Sequence, residues 1–206
     1  MLKRLNDPIY YVGYYEALGG IVGKSSGAEW TQKTIHKIIG ASYPKGWESQ
    51  LEDDFGFQFN VKQGLDWTFW TNDKYSAHLC PDLVLLTGST EDAYGLDCVI
   101  KIGYGIPLTR SDSKFLARCA NEKSNFSIYG LAGAEWRHWE NRIFLDGDDS
   151  KEYFVDKKDN TWAVKAGIAG TYKSFGMHFI YLWGSNEYDG QRDRPNYVSM
   201  AFSYLF

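Results

Sequence analysis

Gln32 and His36 are the pair in this sequence whose types and spacing could act on a substrate. Residues four apart in a helix project from one face, so an amide and an imidazole would stand side by side. Imidazole is the usual general base near neutral pH, and a neighbouring amide can hold its ring or a substrate oxygen. The bland reading of the same pair is a solvated glutamine beside a histidine packed on a loop helix. Other positions offer less. His78, His138 and His178 stand apart, with none of the His-x-x-x-His or His-x-His spacings that gather a metal. They read as inward-facing or interfacial residues. Glu135 and Arg137 share a strand face and read as an ion pair. There is no G-x-S-x-G elbow and no phosphate loop; Gly103-Tyr104-Gly105 reads as strand glycine. Asp146-Gly147-Asp148-Asp149 does not complete an EF-hand loop. Cys80, Cys98 and Cys119 lack C-x-x-C spacing and read as small buried or wall-facing residues.

The element that must position Gln32 and His36 is a helix over residues 28–39. Ser25-Ser26-Gly27 can cap it, Glu29 falls in its first turn, Lys37 in its last, and Gly40 and Pro44 follow. Elsewhere the period is two. Val198, Met200, Phe202, Tyr204 and Phe206 alternate with mostly small or polar residues; Leu96, Cys98, Ile100 and Ile102 alternate with Asp97, Lys101 and Gly103. About nine strands are predicted, near residues 9–19, 54–62, 65–71, 78–87, 94–106, 126–140, 161–173, 176–187 and 196–206. Tight turns are expected at Lys62-Gln63-Gly64 and Lys173-Ser174-Phe175-Gly176. Long polar loops are expected over 146–160 and 190–194.

The 206 residues carry 22 basic and 26 acidic side chains, a formal charge of −4, which gives no basic stripe for nucleic acid. No stretch is long and apolar enough for a transmembrane helix, and Met1-Leu2-Lys3-Arg4 opens without an apolar leader segment. The aromatic load is high, with eight Trp, 15 Tyr and 12 Phe. Charges on one face of the strands and aromatics on the other fit either a soluble lipocalin-like barrel or a membrane barrel with lipid outside. The final aromatic within a strand, and the alternation of tight turns with long loops, favour the membrane.

Gln32-Lys33-Thr34-Ile35-His36-Lys37-Ile38-Ile39-Gly40-Ala41, followed by Pro44-Lys45-Gly46-Trp47-Glu48-Ser49-Gln50, resembles the outer-membrane lipid A 3′-O-deacylases. Ser127 to Arg137, continued by Asn141 to Gly147, and the stretch Asn186 to Gln191 are further matches. The resemblance implies an all-β, antiparallel outer-membrane β-barrel, twelve-stranded in the family and within the even-numbered range of such barrels, with one short loop helix near residues 28–39. It implies hydrolysis of the 3′-linked acyloxyacyl ester of lipid A, with His36 activating water, Gln32 supporting it and calcium stabilising the oxyanion. Lipid A or lipopolysaccharide and outer-membrane lipids are the implied partners, and a complete barrel would be a monomer. The family's Asn-Asp pair on a first strand and hydroxyl residue on a second have no matching positions here, Asn6-Asp7 standing too close to the helix. No calcium ligand is carried over. Residues 1–206 are therefore expected to form one barrel domain lacking N-terminal strands. The competing expectation is a non-enzymatic barrel with a structural role.

Overall fold

The computed structural model describes residues 2–6, 9–106, 111–112, 115–116, 126–146 and 155–204. Strands β1 (Leu2–Asn6), β2 (Ile9–Val22), β3 (Asp54–Thr71), β4 (Tyr75–Gly88) and β5 (Glu91–Tyr104) precede a small hairpin of β6 (Ser111–Asp112) and β7 (Phe115–Leu116). Then follow β8 (Phe126–Arg142), β9 (Asn160–Tyr172), β10 (Phe175–Gly184) and β11 (Asn196–Tyr204). Nine of these form one antiparallel sheet in the order β1-β2-β3-β4-β5-β8-β9-β10-β11. The expected all-β architecture is observed; the nine sheet strands include β1, which lies outside the expected set, while the strands expected over 54–62 and 65–71 are the single β3. Helix α1 (Ala28–Ile39) spans the expected residues, and a four-residue helix α2 (Ile143–Asp146) joins it.

The strands turn their apolar residues outward. In β5, Tyr94, Leu96, Cys98, Ile100 and Ile102 are exposed, while Asp97, Val99 and Lys101 between them are buried. A soluble barrel would invert this arrangement; a lipid-facing one requires it. The lipocalin-like alternative is therefore set aside by the exposed ring of Phe55, Phe57, Phe59, Leu83, Trp162 and Ile168.

Inside, the buried charges are paired, as burial demands. Lys62 Nζ lies 3.1 Å from Asp97 Oδ2, and Arg137 Nη1 lies 2.6 Å from Asp97 Oδ1. That second contact is an ion pair without hydrogen-bond geometry: Arg137 donates instead to the carbonyls of Trp136 and Leu96. Glu135 and Arg137 do face inward, but not to each other, because the neighbouring strands bring closer partners. Lys165 of β9 takes Glu135 at 3.2 Å, and Asp97 of β5 takes Arg137. An apolar cluster including Val99, Leu131, Ile180 and Leu182 packs the interior beside these pairs.

Lys62-Gln63-Gly64 is not a turn. The inside–outside alternation of β3 continues through it, with Gln58 and Asp66 buried and Phe59 and Trp67 exposed. Gly64 is required for close approach, since a Cβ there would lie 2.1 Å from the Pro81 carbonyl oxygen. The β3–β4 partners run to Gly64↔Asp82 and resume at Trp67↔Leu79, a gap beside Pro81, which has no N–H to give. The turn after Lys173 is present, with Lys173 itself at φ 52°.

Connections of 23–53, 143–159 and 185–195 share the rim that carries α1, with the two-residue link 89–90. Turns 72–74 and 173–174 lie at the opposite rim, as do the end of β5 and the start of β8. The loop motif Gly147-Asp148-Asp149, Cys119, Asp7 and the terminal Leu205 and Phe206 lie outside the described residues.

Candidate active site

The α1 helix is held by its ends. Gly27 and Gly40, at φ 73° and 68°, supply the left-handed corners that admit and release the chain. Ahead of it, the Ser25 backbone N–H and hydroxyl donate to Asp53 at 2.7 and 2.5 Å, fastening the start of the loop to its end. These bonds hold the Asp53 carboxyl below the usual carboxylate range, the hydroxyl of Ser25 contributing most. Within the helix, Lys33 pairs with Glu29, and its ammonium lies 5.2 Å from the centre of the Tyr43 ring. Glu29, then Tyr43, raises the Lys33 pKa. Gln50, the last residue of the Pro44 to Gln50 motif, reaches back to Glu29 at 3.4 Å and donates to the Trp47 carbonyl at 2.8 Å.

No residue of α1 is buried; Trp30 and Ile38 remain 72% and 77% exposed. Such an amphipathic helix, apolar on the outside and carrying Lys33 and Lys37, suits a membrane interface.

His36 sits in the last turn and is half-buried. The left-handed Gly40 turns the chain back, the Ala41 N–H donates to the His36 carbonyl at 2.9 Å, and Ser42 arrives beside the ring. His36 Nδ1 then lies 2.5 Å from the Ser42 carbonyl oxygen. A carbonyl can only accept, so Nδ1 carries the hydrogen, and in the neutral ring Nε2 keeps its lone pair. Trp30, Lys33, Thr34, His36, Lys37, Ala41 and Tyr43 line a groove of about 410 Å³. Gln32 is exposed, is absent from that lining and makes no hydrogen bond to His36 among the described residues. Ser42 and Tyr43 carry no signal of their own in the sequence; the glycine at position 40 is the clue that the chain doubles back.

The other two motif stretches meet at the same rim. Arg142 donates to Glu187 at 2.9 Å and to Glu91 at 3.2 Å, and stacks 4.3 Å over the Trp139 ring. Gln191 accepts from the Glu187 N–H at 2.7 Å. Glu91, Trp139, Arg142 and Glu187 border an interior cavity of about 230 Å³ that shares no lining residue with the His36 groove.

Calcium takes six to eight oxygens, carboxylates foremost. The His36 groove is lined by two ammonium groups and no carboxylate, and Glu29 nearby is engaged by Lys33 and Gln50. Among the described residues no group of three or more His, Cys, Asp or Glu gathers. The residues of this groove do not fit a calcium ion. His78 and His178 face the interior and are buried; His138 lies at the wall against Asn160 and Glu140.

The sequence matches the family model described as outer membrane protein LpxR over residues 13–206. Among solved structures, LpxR from Salmonella typhimurium matches with a TM-score of 0.80 at 17% identity, covering 100% of this chain and 70% of that one. No curated protein matches.

Proposed function

The chain belongs to the outer membrane protein LpxR family, and from that premise we propose that it hydrolyses the 3′-linked acyloxyacyl ester of lipid A at the groove of α1. The observation that carries this reading is the 2.5 Å contact between His36 Nδ1 and the Ser42 carbonyl oxygen. With Nδ1–H held by Ser42, Nε2 is left as the acceptor in a groove at the rim of a lipid-facing wall.

His36 Nε2 takes a proton from water, and the oxygen attacks the ester carbonyl. The imidazolium then returns the proton to the departing alkoxide. The Ser42 carbonyl keeps the ring in register through both steps. Lys33 and Lys37 put positive charge in the groove where the oxyanion develops. Gln32, one turn earlier on the helix and exposed, serves as a positioning residue for substrate. Trp30 and Ile38 seat the helix in the leaflet that holds the substrate.

The test is lipid A mass spectrometry on outer-membrane-bearing bacteria that express the full chain and have no deacylase of their own. Loss of the 3′ acyloxyacyl mass, abolished by His36→Gln, supports the reading. The absence of a carboxylate set in the groove favours a second reading, a barrel of this family without chemistry. An unchanged lipid A spectrum, with the protein inserted in the outer membrane, would establish that one.

A further inference from the structure

At the rim opposite α1, three side chains that the His36 chemistry does not use are aligned. Asp66 of β3 and His78 of β4 are buried, at 1% and 4% exposure, and Asp66 Oδ1 lies 2.5 Å from His78 Nδ1. His78 Nε2 lies 2.9 Å from Ser76 Oγ. Ser76 is half-buried and next to the 72–74 turn, two residues nearer the rim than His78. From the rim inward the order is therefore Ser76, His78, Asp66. Asp66 falls in the gap of the β3–β4 ladder beside Pro81.

Charge balance sets the direction of these bonds. Lys101 of β5, itself buried, lies 2.7 Å from the second Asp66 oxygen and balances its charge. A neutral imidazole leaves the cluster without net charge, which burial favours. With Nδ1–H given to Asp66, Nε2 can only accept, so the Ser76 hydroxyl donates. Carboxylate, imidazole and hydroxyl then stand in the order of a serine hydrolase relay, a geometry that recurs on unrelated folds.

We propose that Ser76, His78 and Asp66 form a second acyl-transfer site, separate from the α1 groove and accepting small acyl esters. The site lies about 40 Å along β4 from the α1 rim, at ~3.3 Å per residue. Small esters are indicated because the inward side directly behind Ser76 is filled by the buried His78. Ser76 Oγ bonds to the ester carbonyl carbon while its proton passes to His78 Nε2. The C–O bond breaks and the alkoxide leaves with that proton. Water, deprotonated by the same imidazole, then attacks the acyl carbon; the Oγ–acyl bond breaks, the acid leaves, and the imidazolium returns its proton to Ser76 Oγ.

A short-chain fluorophosphonate tests this on the refolded full chain in detergent. Oγ–P bond formation expels fluoride, and tryptic mass spectrometry locates the adduct. The expected result is one adduct, on Ser76, lost in Ser76→Ala, reduced at least tenfold in His78→Gln and unchanged in His36→Ala. The difference in gel mobility between unboiled and boiled samples reports that each variant has folded. Where His78→Gln does not fold, Ser76→Cys serves instead, its thiol expected to react with iodoacetamide at least tenfold faster than Cys98. An absence of adduct on the folded wild type, an adduct at another serine, or labelling undiminished by His78→Gln would overturn the proposal.

Discussion

His36 Nδ1 and the Ser42 carbonyl oxygen are 2.5 Å apart, across a turn that only the left-handed Gly40 makes possible. A side chain on the last helical turn is thereby oriented by backbone three-dimensionally adjacent but six residues later. This relation predicts two separable effects. His36→Ala should lower deacylation by a factor on the order of 10²–10⁴ without changing unboiled gel mobility. Gly40→Val should leave the imidazole in place but free the ring, lowering kcat with little change in KM. Rates on lipid A in mixed micelles check both.

The clip between Ser25 and Asp53 predicts an acid-sensitive loop. The folded-state pKa of Asp53 lies below its unfolded value, so the clip's stabilisation is fully present above the unfolded pKa. It is lost as pH falls through the lower, folded one. Hydrogen exchange over residues 23–53 should accelerate in that acid range, and Asp53→Asn should show the accelerated rate already at pH 7. The adjoining Gly23 cannot be replaced, since a Cβ would lie 2.5 Å from the Glu52 carbonyl oxygen at φ 103°.

Asp97 answers two cations, Lys62 and Arg137. Asp97→Ala takes from both cations their shared carboxylate, and removing one partner of a buried pair costs about 3–5 kcal/mol. Urea unfolding in detergent micelles should show a loss of that size. Glu135→Ala should cost less, because Glu135 is more exposed than Asp97.

Gly64→Ala should push β3 from β4 at the Pro81 gap, with a cost of about 1–3 kcal/mol for overpacking. The same variant displaces Asp66, so fluorophosphonate labelling of Ser76 should fall with it. Gly190→Ala, with open space around it but φ 79°, should leave that labelling unchanged.

Much of this fold is legible because lipid outside and paired charge inside impose a strict two-residue period, and α1 breaks it with glycines at both ends. The error at Lys62-Gln63-Gly64 has a physical source. Glycine and a charged residue are turn chemistry in water, whereas here Lys62 reaches inward to Asp97 and Gly64 admits the neighbouring backbone. His36 is legible as a base from its type and helical spacing, but its tautomer depends on Ser42, a contact no spacing rule encodes. The pairing of Asp66 with His78 depends on strand register, 12 residues apart in sequence, and isolated histidines conceal it. Arg137 misleads for the same reason: its neighbour on the strand is Glu135, its partner lies across the ladder.

The salt links and aliphatic side chains that occupy the axis of the sheet have an electrical consequence. An ion moving along the inner face of the sheet meets Lys62, Asp97 and Arg137 already locked together, with Ile180 and Leu182 beside them. Reconstituted in a planar bilayer, that face should add no conductance under applied voltage.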